Sequence, residues 1–112
     1  MTNFEIALRF TGLTPDELAR RLDVPAQLIR SWIKGTRLPG RASVEYVARQ
    51  MGVDAAFLLG VPALLPVAAD GDCVLCPVLR TEPLPGVGAR YCVVAPDGEV
   101  REVDLPAVHP QK

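Results

Sequence analysis

The chain has no apolar run long enough to cross a bilayer. The longest, Val61 to Ala69, is broken by Pro62 and Pro66, whereas a membrane helix needs about 20 apolar residues. The start, Met1-Thr2-Asn3-Phe4-Glu5, has no basic segment leading into an apolar stretch, so no secretory signal is expected. A cytoplasmic location with no membrane partner follows as the expectation. Cysteine is scarce and odd in number, with Cys73, Cys76 and Cys92 alone. In a reducing compartment these are read as free, metal-bound or buried, not as a disulfide framework. Histidine occurs once, as His109 beside Pro110 near the end of the chain, a poor place for a general base. No phosphate-cradling glycine loop and no pair of catalytic carboxylates stand out. The expectation is a protein that is not an enzyme and uses no cofactor.

An overall charge bias is also missing, since 12 basic residues face 13 acidic ones for a net charge of −1. The charges are nevertheless segregated. Arg20, Arg21, Arg30, Lys34, Arg37 and Arg41 stand against Asp23 alone between residues 20 and 41, a local balance of +5. From residue 61 onward Arg80, Arg90, Arg101 and Lys112 are outweighed by Asp70, Asp72, Glu82, Asp97, Glu99, Glu102 and Asp104. A polyanion would meet the first region and be repelled by the last.

With 112 residues the chain has room for one ordinary domain, or for a unit of about 60 residues and a smaller appendage. Residues 2 to 60 read as short capped helices. Thr2 and Glu5 form a Thr-x-x-Glu start for a helix over 3 to 11 that stops near Gly12. Thr14-Pro15-Asp16-Glu17 starts a second over 15 to 22, with proline where a missing N–H costs nothing. Asp23 and Val24 separate it from Pro25, read as a first-turn proline of a third helix that runs to Lys34 and stops at Gly35. Val44, Val47, Ala48 and Met51 follow the spacing of a fourth, and Asp54 stands before a short fifth carrying Phe57 and Leu58.

Residues 61 to 72, which follow Gly60 and carry Pro62, Pro66 and Gly71 without helical or strand periodicity, are read as a linker. Beyond it the period shortens. Cys73 to Leu79 and Tyr91 to Ala95 are apolar runs, Glu99 to Leu105 alternates, and Pro96-Asp97-Gly98 is a hairpin signal. The expected architecture is therefore α+β: a five-helix unit over 1–60, a linker over 61–72, a small antiparallel sheet over 73–106 and a tail over 107–112. The first two runs are apolar on both faces, and a sheet so small needs covering, by the helical part or by another subunit. Homodimerisation through the sheet is the expectation.

On the third helix Gln27, Arg30, Ser31 and Lys34 fall within about a third of the circumference, while Leu28, Ile29, Trp32 and Ile33 occupy the other side. Such a polar face can be merely solvated, or it can present donors and acceptors to base edges and phosphates.

The stretch Gly12-Leu13-Thr14, Glu17-Leu18-Ala19, Leu22, Val24, Ile29, Trp32, Gly35 and Pro39, followed by Ala48, Met51-Gly52-Val53 and Leu58-Leu59-Gly60, resembles the Cro/repressor-type (XRE) helix-turn-helix family over residues 4–60. The resemblance implies double-stranded DNA as partner and entry of the third helix into the major groove. It implies base contacts from Ala26, Gln27, Arg30 and Ser31, with Gln27 suited to adenine and Arg30 to guanine. It implies phosphate contacts from Lys34, Thr36, Arg37 and Arg41. Where family members often carry a buried arginine–glutamate pair, this chain has Leu8 and Ile33, a joint apolar replacement that need not destabilise. Pro15 replaces a phosphate-contacting glutamine, Asp23 the usual turn glycine and Pro25 a capping serine or threonine. The self-cleaving serine–lysine peptidase domain of some phage repressors is not expected, because the only serines are Ser31 and Ser43 and the only lysines Lys34 and Lys112.

Two further readings stay open. Cys73-Val74-Leu75-Cys76 has zinc-knuckle spacing, which Cys92 and His109 could complete, against the alternative of buried thiols. The resemblance points to a repressor that binds an inverted repeat as a homodimer. The competing reading is an antitoxin-like module whose β segment binds a protein partner while the helices autoregulate.

Overall fold

The computed structural model describes residues 2–69, 71–86 and 88–106. His109, the fourth candidate zinc ligand, and the tail expected over 107–112 lie outside the described residues. Among the described residues five helices are followed by four antiparallel strands, and the chain divides into two compact units, Met1–Val61 and Pro62–Lys112.

The helices are α1 (Asn3–Thr11), α2 (Pro15–Leu22), α3 (Ala26–Lys34), α4 (Arg41–Met51) and α5 (Ala55–Leu58). Their starts follow from local chemistry. The Thr2 hydroxyl oxygen accepts from the Glu5 amide at 3.2 Å and donates to the Ile33 carbonyl at 2.7 Å, so one side chain caps α1 and ties it to the end of α3. Thr14 and Glu17 exchange both bonds of a capping box, at 3.0 and 3.1 Å. That reciprocal bonding to Thr14 holds the Glu17 carboxyl below its ordinary pKa. Pro25 does not enter the helix as expected but stands at the N-cap of α3.

The ends are equally local. At the end of α3 Gly35 takes φ 82°, and the amides of Gly35 and Thr36 return to the carbonyls of Trp32 and Ser31. Asp23 ends α2 in the same way at φ 56°, with Asp23 and Val24 donating to Arg20 and Ala19. Asp23 is the one non-glycine residue with positive φ among the described residues.

The apolar faces of these helices meet in one core. Phe4, Leu18, Ile29, Trp32, Val44, Val47, Met51 and Phe57 are buried. Phe4 meets Trp32 edge to face, with ring centroids 5.4 Å apart. The Asn3 side-chain amide donates to the Phe57 carbonyl at 2.9 Å, closing α1 on α5.

The strands are β1 (Leu64–Ala69), β2 (Asp72–Leu84), β3 (Gly88–Val94) and β4 (Val100–Leu105), in that order across the sheet. β1 corrects the sequence reading, since it occupies the segment expected to be a linker. It is an edge strand, one of the settings in which a proline such as Pro66 is tolerated inside a strand. β2 is longer than the apolar run that signalled it. Its first half pairs with β1 and its second half with β3, and a bulge between Val78 and Arg80 accommodates buried Leu79 near the change of partner. The Pro96-Asp97-Gly98 signal forms the β3–β4 hairpin. Gly98 donates to Ala95 at 2.8 Å and Ala95 to Glu99 at 2.8 Å, with Gly98 at φ 85°.

The pairing register sorts the side chains. Cys76, Val78 and Val93 are buried on one face with Leu65, Val67, Val74, Tyr91 and Val103 around them. The other face of the β1–β2 ribbon presents Leu64, Pro66, Ala68, Cys73 and Leu75, all exposed and none charged.

Candidate nucleic-acid interface

The electropositive segment runs through α2, α3 and the connection from α3 to α4. Leu18, Ala19 and Leu22 of α2 are buried, which fixes that helix in the core. The connection of Asp23, Val24 and Pro25 then redirects the chain into α3. Ile29 and Trp32 bury one side of α3, and Gln27, Arg30 and Lys34 are thereby left exposed on the other. Ala26 and Ser31 are half-buried along the margin of this surface. Arg37 and Arg41 are exposed beyond Gly35. Among the described residues no acidic side chain pairs with Lys34, Arg37 or Arg41.

Side-chain bonding changes what two candidate residues can offer. The Ser31 hydroxyl donates to the Leu28 carbonyl at 2.6 Å, so toward a base edge Ser31 acts as an acceptor. The Thr36 hydroxyl donates to the Ser31 carbonyl at 3.2 Å, and its amide donates to the same carbonyl at 3.1 Å. A phosphate needs donors, so Thr36 must break a bond to contact one. Gln27, Ser31 and Arg37, with Pro25 and Leu28, line a shallow depression on this surface. A second open depression, on the α2 side, is lined by Asp16, Arg20, Asp23 and Ala26.

Arg30 is not without a partner. Its Nη2 lies 3.3 Å from Asp16 Oδ1, both side chains remaining more than half exposed. Asp16 is in the first turn of α2, where a carboxylate is favoured by the helix dipole. Sequence reasoning passed over it. No periodicity relates positions on two different helices, and only the tight α2–α3 connection brings these two together.

Among the described residues, the three cysteines of the candidate zinc set are not brought together. Cys73 and Cys76, three apart on β2, point to opposite faces of the sheet. Cys73 pairs across to Ala68 on β1. Cys92 shares its face but pairs with Arg80, on the far side of the change of partner. Cys76 and Cys92 are buried, and burial pushes the Cys92 thiol pKa up. Among the described residues no group of three or more histidine, cysteine, aspartate or glutamate side chains is placed to hold a metal ion. None of the described helices is long and apolar enough to cross a membrane.

No family model, no curated protein and no solved structure matches the chain.

Proposed function

We propose that the chain is a sequence-specific DNA-binding transcription regulator of the Cro/repressor type, acting as a repressor on an inverted-repeat operator. In this reading α2 and α3 are the helix-turn-helix, and α3 enters the major groove. Gln27 and Arg30 read base edges, Ala26 and Ser31 complete the contact, and Lys34, Arg37 and Arg41 hold phosphates. The observation that carries the reading is the division of α3, whose apolar side is buried while its polar side is exposed within a basic surface. A merely solvated helix face has no need of the unpartnered cations that continue it beyond Gly35.

Two-fold operator symmetry calls for two copies of the chain. The uncharged, exposed ribbon face of Leu64, Pro66, Ala68, Cys73 and Leu75 supports a homodimer formed through the sheet. The same face favours the second reading, in which the sheet binds a different protein and the helices autoregulate. Neither reading involves a catalytic step or a cofactor.

Selection of bound sites from a random duplex library tests the proposal, with the intact protein compared with Arg30→Ala at one fixed salt concentration. A palindrome is expected to emerge, and its guanine preference should weaken by about 1–3 kcal/mol in the variant. No enrichment by folded protein would refute it. Copurification of a stoichiometric second protein would move the assignment to the partner-binding reading.

A further inference from the structure

The Arg30–Asp16 pair crosses from the first turn of α2 to the middle of α3 and lies on the surface assigned to DNA. As an ordinary exposed ion pair it would contribute little to stability. Its position gives it another use. Of the two partners Asp16 is the anchored one, on a short side chain at a helix start whose neighbour Glu17 is locked in a capping box. Arg30 has the long, mobile side chain.

The contact is made through one atom, Nη2. That nitrogen carries two hydrogens, one toward the Nε edge of the guanidinium and one toward the Nη1 edge. Whichever hydrogen Asp16 takes, one complete two-hydrogen edge remains available. A complete edge is what the O6 and N7 of guanine require. An untethered arginine in a basic surface can swing to a phosphate wherever no guanine is present, and so strengthen binding to any sequence.

We infer that Asp16 is a specificity-determining positioning residue, holding Arg30 ready for guanine and withholding it from phosphates. This rests on the reading of α3 as the base-reading helix and adds a residue to it. Asp16 touches no base in this scheme; it acts through Arg30.

The experiment is a binding cycle with the full chain. Intact protein, Asp16→Asn, Arg30→Ala and the double variant are each titrated with the selected operator and with the same duplex carrying adenine in place of the Arg30-dependent guanine. Asp23→Asn serves as control, removing one negative charge from the same region without touching the pair. Asp16→Asn is expected to tighten binding to the substituted duplex more than to the operator. The ratio of the two affinities should fall by up to about fivefold, the most an exposed ion pair ordinarily commands. In the Arg30→Ala background the same substitution should leave the ratio unchanged, and Asp23→Asn should leave it unchanged in the intact protein. Equal tightening on both duplexes, or a ratio change that persists without Arg30, would overturn the inference and leave α3 as the reading helix. Equal affinity of intact protein for both duplexes would instead overturn the base-reading role of Arg30, and the inference with it.

Discussion

Replacing Asp23 by glycine should stabilise the helical unit. Asp23 ends α2 at φ 56°, with Val24 donating to Ala19 at 3.0 Å in the six-to-one bond of a Schellman turn. The α3 end has the same bonding with glycine at φ 82°. A left-handed backbone costs an L residue about 1–2 kcal/mol, with aspartate at the low end. A negative charge at a helix C-terminus costs about 0.3–1 kcal/mol more. Against these gains, glycine loses about 0.4–1 kcal/mol through the greater freedom of the unfolded chain. The net expectation for Asp23→Gly is about 1 kcal/mol of stabilisation, read as a rise of roughly 4–8 °C in Tm for a unit of this size. Thermal melts followed by circular dichroism, with Asp23→Asn and Asp23→Ala in parallel, separate the contributions. Asparagine tolerates the left-handed region and removes only the charge, so it should gain the smaller electrostatic part. Alanine removes the charge but bears the full backbone cost, and after the unfolded-chain cost of glycine is subtracted it should fall below glycine by about 1 kcal/mol. A glycine variant that melts below the parent, or an alanine variant as stable as the glycine variant, would refute the reasoning.

Leu18→Ala removes a side chain with 0% exposure and should cost about 2–5 kcal/mol, visible as a lower midpoint in chemical denaturation; a loss under 1 kcal/mol would mean that the core closes around the cavity. Because the Glu17 pKa is lowered by its bonds to Thr14, its contribution is present above the ordinary glutamate range and is lost as pH falls through the lowered folded value. Glu17→Gln should therefore flatten the acid limb of the stability profile, and identical acid limbs would contradict the assignment. Thiol alkylation should modify exposed Cys73 in the native protein, and Cys76 and Cys92 only after unfolding. Rapid native labelling of all three would contradict the burial of Cys76 and Cys92.

Most of the helical unit was legible in the sequence because its signals act over three to five residues. Thr2 and Thr14 start helices by accepting from amides three positions on, Gly35 stops one by its backbone freedom, and Pro96-Asp97-Gly98 turns a hairpin, all without reference to distant parts of the chain. The 3.6-residue period likewise placed Ile29 and Trp32 on the buried side of α3 and Arg30 on the exposed one. Tertiary structure alone decided what depends on pairing across long separations. β1 is a strand because β2 offers it a partner in register, which a local reading of a proline-rich segment does not reveal. The same register sends Cys73 and Cys76, which their spacing had suggested as a pair of ligands, to opposite faces. Asp16 meets Arg30 because the turn at Asp23 brings α2 and α3 together. A contact between two helices is set by how they cross, and a one-dimensional pattern carries no record of that angle.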